Sequence, residues 1–197
     1  MKIESTTGAV FKAGIPPALD IRGYLFADAG GPITDPGATG NQAAWRVVFG
    51  RRDTNSNLLL GAPSDVLVLI NTGGSGTQSG RLEWSIPSEI NTSTDGYFWR
   101  LYRSDLTGDD AVSPGSTFKL VDEKALTASD ITLGAIYYTD DVPDILRGAE
   151  LYTNENSQEG EAEANARAPL SDDMTLFKDK LFFFDTTSRQ SLNLDVQ

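Results

Sequence analysis

Residues 96–104 read Gly-Tyr-Phe-Trp-Arg-Leu-Tyr-Arg-Ser. On an extended strand successive side chains point to opposite faces, so Tyr97, Trp99 and Leu101 share one face and Phe98, Arg100 and Tyr102 the other. Aromatic bulk on both faces predicts a central strand with a core beneath one face and partial cover on the other.

The stretches around it alternate in the same way. In Arg81–Ile86, Leu82, Trp84 and Ile86 point inward and Glu83 and Ser85 outward, and Pro87 ends the run. In Ala43–Phe49, Trp45, Val47 and Phe49 alternate with Arg46. The run 65–70 is aliphatic and β-branched and reads as a strand buried on both faces. Strands are expected at 19–26, 43–50, 58–61, 65–71, 81–86, 96–104, 117–121 and 135–139, separated by turn residues, with one helical turn within 122–130. The fold class is all-β: an antiparallel β-sandwich. Trp45, Trp84 and Trp99, on three strands, are expected to fill one core between the sheets. Arg100 and Tyr102, on the other face, are then open to a neighbour.

The ends read differently. Residues 1–16 are small and polar and close on Ile15-Pro16-Pro17, an extended N-terminal arm followed by the sandwich at 17–143. Over 144–173 acidic residues face only Arg147 and Arg167 and apolar periodicity is lost, as in an extended linker or arm. Residues 174–197 return to strand character, with a hairpin turning at 178–180 and a third strand at 191–196. Phe182, Phe183 and Phe184 place apolar bulk on both faces of that small sheet, which therefore needs a covering surface: the sandwich, another subunit, or a longer chain.

Composition removes whole classes of chemistry. The 197 residues include no cysteine and no histidine, so there is no disulfide, no thiol nucleophile and no Ser-His-Asp or Cys-His arrangement. The 28 acidic and 16 basic residues leave a formal charge of −12, which opposes binding to nucleic acid and anionic membranes. No apolar run approaches the roughly 18–20 residues that span a bilayer, and the first residues lack the apolar core of a secretory signal. Asp53-Thr-Asn55-Ser-Asn57 opens like a calcium loop, but Leu58 and Ser64 stand where glycine and glutamate are required, so turn chemistry is the preferred reading. The same holds for Asp109 and Asp110, where a cation is the alternative. No cofactor is expected.

Two stretches resemble a fibronectin type III module. Ala44–Phe49, Asp53, Gly61-Ala62-Pro63-Ser64 and the run 65–70 are similar to its last two strands. Leu82-Glu83-Trp84, Tyr97–Ser104 and Tyr137-Tyr138-Thr139-Asp140 are similar to its B and C strands and a later Tyr-Thr-Asp. The order is unusual, because the F–G-like pair precedes the B–C-like pair: either two incomplete modules in tandem, or one sandwich with a shifted start. A third stretch, Asp144–Asn154 continuing through Pro169-Leu170 to Met174–Lys178, resembles the connector after such modules in tailed-bacteriophage structural proteins.

The resemblance implies a virion component of the neck, tail or fibre region that acts without catalysis, by self-association as a homo-oligomer and by docking to other virion proteins. The residues expected to carry contacts are Arg100, Tyr102, Tyr137, Tyr152, Phe177, Phe182, Phe183 and Phe184. An alternative is a carbohydrate-binding or host-surface adhesin module using Tyr97, Tyr102, Tyr137 or Tyr138, although aromatics at period two also serve as cross-strand pairs and core. A glycoside hydrolase using two of Glu83, Glu89, Asp95 and Asp109 is the weakest reading, since 28 acids bring some pair together by chance.

Overall fold

The computed structural model describes residues 2–3, 10–11, 14–52, 58–90, 96–151, 171–177 and 180–186. Twelve strands and one short α-helix lie along it: β1 (Lys2–Ile3), β2 (Val10–Phe11), β3 (Leu19–Ala27), β4 (Asn41–Arg52), β5 (Leu58–Leu60), β6 (Leu67–Asn71), β7 (Gln78–Ser85), β8 (Tyr97–Ser104), β9 (Phe118–Ala125), α1 (Ala128–Leu133), β10 (Ala135–Asp140), β11 (Ser171–Phe177) and β12 (Lys180–Thr186). They fall into two units, Gly14–Ala166 and the two chain ends, Met1–Ala13 with Arg167–Gln197.

The larger unit is an antiparallel β-sandwich. One sheet has the order β10-β7-β3. The other runs β5-β4-β8-β9, with β6 also on β4. The stretches at β4, β5 and β6 and those at β7 and β8 lie in one and the same sandwich. Strand β4 is long enough to hold two partners on one edge. Strand β5 pairs with Gly50–Arg52 and β6 with Asn41–Trp45. The Gly61–Ser64 stretch bridges them: Gly61 N–H donates to the Phe49 carbonyl (2.8 Å) and Ser64 N–H to that of Val47 (2.8 Å).

The inter-sheet core is the one that the alternation predicts. Trp45, Val47 and Phe49 come from β4, Leu82 and Trp84 from β7, and Trp99 and Leu101 from β8, all buried. The indoles of Trp84 and Trp99 meet edge to face at 5.1 Å, and Tyr138 closes on Trp99 at 5.3 Å.

Several boundaries and faces differ from expectation. Ile15 and Ala18 belong to the core, so the sandwich begins at Gly14 rather than Pro17. A Cβ on Gly61 would lie 2.9 Å from Ile15 Cγ2, so the bare backbone there gives Ile15 its room. The run 65–70 is not buried on both faces. Strand β6 stands at an edge: Leu67 and Leu69 pack on the core, while Val66 (40%), Val68 (41%) and Ile70 (51%) are exposed. The expected helical turn falls later, at α1, because β9 continues to Ala125; Thr127 and Asp130 form its capping box and Gly134 (φ 70°) its left-handed end.

The linker expected from 144 begins later too. After a 3-10 turn at Asp144–Leu146, the chain pairs with the outer edge of β9. Gly148 N–H donates to the Leu120 carbonyl (2.7 Å), Leu120 N–H to that of Ala149 (2.9 Å), and Leu151 N–H to that of Phe118 (2.7 Å). This draws Leu151 (2% exposed) over Ala44, Val48, Tyr102 and Phe118, a second apolar cluster on the outer face of the larger sheet.

In the unit of the chain ends, β1 pairs with β2, and β11 with β12. Phe177 stands opposite Lys180, as the expected hairpin requires. The strand expected at 191–196 and most of the acidic stretch lie outside the described residues.

The two sheets of the sandwich are joined by a buried ion pair. Arg103 on β8 meets Asp140 on β10, Nη1 to Oδ2 at 2.5 Å, both with no exposed side-chain surface. Trp45 Nε1 donates to the same oxygen (2.8 Å), and Arg103 Nη2 donates to the Val142 carbonyl (2.7 Å) and to Asp144 (2.9 Å). Removing one partner of such a pair strands a buried charge, at about 3–5 kcal/mol. We expect Arg103→Met to lower the unfolding free energy in urea by that amount, and Arg100→Met, at the more exposed Glu123 pair, by about 1 kcal/mol or less. Equal small losses would show that the buried pair does not hold the sheets together.

Candidate functional site

The outer face of the three-stranded sheet is built by β7, whose Leu82 and Trp84 enter the core and therefore turn Arg81 and Glu83 away from it. Antiparallel register sets Tyr24 opposite Arg81 and Arg22 opposite Glu83 on one side, and Tyr137 opposite Glu83 on the other. These five side chains line an open depression of about 460 Å³. Tyr24 is 58% and Tyr137 61% exposed. The Arg22 guanidinium is paired with Glu83. Its hydrogen bond holds the Glu83 carboxyl below the usual range, the Tyr137 hydroxyl adding to the effect. The same bond raises Arg22. Arg81, also exposed, has no carboxylate partner among the described residues. Gly23 holds β3 close to β7: a Cβ there would sit 2.5 Å from the Arg81 carbonyl oxygen.

A second surface is the edge made by β6. Among the described strands it pairs only with β4. No charged residue and no proline occurs between Asp65 and Arg81. Charge, proline and bulges are the usual protections of an exposed edge, and this one has no charge or proline, although β3 of the other sheet passes close to it.

The outer face of the larger sheet is more occupied than expected. Arg100 is a half-covered cation: Nε bonds Glu123 at 2.6 Å, and the guanidinia of Arg52 and Arg100 both lie 5.5 Å from the Phe98 ring. Tyr102 is not available to a neighbour. It is 2% exposed, because the 148–151 segment carries Leu151 onto it, and burial raises its hydroxyl pKa.

Of the four tyrosines considered for sugar contact, only Tyr137 is well exposed. Tyr97 packs in the core with Arg51 over its ring (5.5 Å). Tyr138 is half-buried against Trp99, and burial, with a hydrogen bond to Asp122, pushes its hydroxyl well above its usual range. Tyr24, Arg22 and Arg81 were missed, although Ile21, Gly23 and Leu25 alternate with Arg22 and Tyr24 along β3 and give the signal.

The acids do not converge. Glu83 is the one carboxylate that lines the depression. Glu89 lies beyond the end of β7, and Asp109 lies in the β8–β9 connection, where its carboxylate accepts from Ala111 N–H (2.8 Å) in a turn. Among the described residues no three potential metal ligands come together. Asp53, Asn55, Asn57, Asp95 and Tyr152 lie outside the described residues. Phe177, Phe182, Phe183 and Phe184 lie on β11 and β12, and their side chains are likewise outside what is described. No helix among the described residues is long and apolar enough to cross a membrane.

Glu83 beside Arg22 and Asp105 beside Arg147 both have lowered folded pKa values, in each case chiefly through the arginine hydrogen bond. Their stabilisation is therefore complete above the unfolded carboxylate range of about 3.9–4.3 and is lost as pH falls through the depressed folded values. Both pairs are partly solvated, so the effect is modest and weakened by salt. The double variant Glu83→Gln, Asp105→Asn is expected to lose less urea stability between about pH 4.5 and 2 than the parent. An unchanged acid limb would contradict the assignment.

Compared with known proteins, the chain matches no family model, no curated protein and no solved structure.

Proposed function

We propose that the chain is a structural subunit of a tailed-bacteriophage virion, in the neck, tail or fibre region, that works by self-association and docking and carries no reaction. The observation that supports assembly is β6, an edge strand among the described strands, which with the preceding Val66 presents an exposed row of Val66, Val68 and Ile70 and no charge along its length. Such an edge is a template for another strand. In a chain of charge −12, two copies repel over most of their surface and least here. Antiparallel pairing of β6 with the β6 of a second copy about Val68 sets Val66 against Ile70 and makes a self-complementary two-fold interface. The chain ends add support: two-stranded sheets such as β1–β2 and β11–β12 are marginal by themselves and gain from a partner's surface. The virion context rests on the resemblance of 144–178 to the connector that follows fibronectin type III-like modules in tailed-phage structural proteins, together with the resemblance of 44–70 and 82–140 to such a module.

A second reading, a module that binds host-surface glycan, is favoured by the exposed Tyr24 and Tyr137 beside Glu83.

Sedimentation equilibrium across the micromolar range is expected to show a dimer or larger species. Val68→Lys should give a monomer with an unchanged circular dichroism spectrum and thermal midpoint. A strictly monomeric parent, or a variant that associates as the parent does, would remove β6 from the reading. A map of a virion produced with this chain and lacking density for the sandwich would remove the virion context.

A further inference from the structure

The face of β3, β7 and β10 holds three features that the fold does not need. Tyr24 and Tyr137 leave large rings in water. Neither faces an aromatic across its strand pair: Tyr24 stands opposite Arg81 and Tyr137 opposite Glu83. Arg22 and Glu83 neutralise each other. Arg81 is left as an exposed guanidinium without a carboxylate partner among the described residues, in a chain with 28 acids and 16 bases.

We propose that this face binds an acidic saccharide, a run of sugar rings bearing carboxylates. The inference rests on the glycan-binding reading and is independent of assembly through β6. The two tyrosines stand on strands either side of β7, offset by two residues. Two inter-strand spacings of about 4.8 Å and a two-residue rise of about 3.4 Å each place their backbone positions about 12 Å apart on one face. That separation reaches across more than one sugar ring. The apolar C–H face of a ring lies on each phenol. Arg81, between them, presents a planar fork that takes a ring carboxylate through two parallel hydrogen bonds. Glu83, kept ionised by Arg22, accepts from sugar hydroxyls. Gly23 fixes the spacing, because any side chain there would push β3 away from the Arg81 backbone. The rings project from the face of the sheet and not along its edge, where a peptide would take main-chain hydrogen bonds.

The test is an amide-shift titration of the whole chain with a galacturonic acid tetramer, a neutral glucose tetramer and a tetraglutamate peptide. The acidic tetramer is expected to shift the amides around Tyr24, Arg81 and Tyr137 saturably. Affinity should fall about tenfold or more for the neutral tetramer and for Arg81→Gln, the loss of one good bidentate contact. Tyr137→Ala should weaken it as well, and added salt should reduce it. Both altered side chains are exposed, and an unchanged thermal midpoint checks that the variants fold. Equal binding of both tetramers, unaffected by Arg81→Gln, would overturn the acidic specificity and leave the glycan reading standing. No shift with any saccharide would overturn both. Tetraglutamate binding as tightly as the galacturonic tetramer would reduce the face to a site for negative charge and overturn the saccharide assignment.

Discussion

Arg103 and Asp140 tie the fold together. One comes from the larger sheet and one from the smaller, and neither reaches water. A guanidinium in this position must find partners for its donors, and those it finds lie in one short segment: the Asp140 carboxylate that Trp45 also binds, the Val142 carbonyl, and Asp144. The segment after β10 is thereby held against the sandwich. Arg147 continues the pattern by donating to the Arg103 and Ser104 carbonyls at 3.0 and 2.9 Å, and the pairing of 148–151 with β9 follows from that course. Hydrophobic packing alone would hold the sheets face to face without choosing their register. A buried ion pair that loses most of its partners when the sheets shift penalises other arrangements.

Period-two alternation carried most of the sandwich. Trp45, Trp84 and Trp99 reach one core because each sits at an inward position of a strand beside at least one polar or charged neighbour (Arg46, Glu83 and Ser85, Arg100), and this is visible without any partner strand. What alternation does not report is which strand ends the sheet. The run 66–70 is apolar at every position, and such a run reads the same whether both faces are buried or one is open. Only the structure, with β4 on one side of β6 and no hydrogen-bonded strand on the other among the described residues, shows that Val68 and Ile70 face water. Tyr102 fails in the opposite sense. It lies on the outer face as expected, but a segment nearly fifty residues further along covers it. The acidity of 144–173 hid the short Gly148–Leu151 stretch that does so.

The Tyr24–Arg81–Glu83–Tyr137 face shows the same limit in a site. Each strand taken alone displays an outward tyrosine or charge, which is ordinary. What makes the constellation is the register of three strands whose sequence positions are 19–27, 78–85 and 135–140. Gly23 was the local hint, since a glycine inside a strand marks a close backbone approach. Beyond that, the chemistry is a property of pairing and not of any motif.

The pairing of Gly148–Leu151 with β9 gives the larger sheet a direction of growth. At the far margin, the chain's own backbone at Gly148–Leu151 already occupies the position that an incoming strand would take beside Phe118–Leu120 of β9. At the near margin, β6 leaves that position vacant among the described residues. The chain thereby shortens one margin of its own sheet and biases strand pairing toward the other, without closing the sheet.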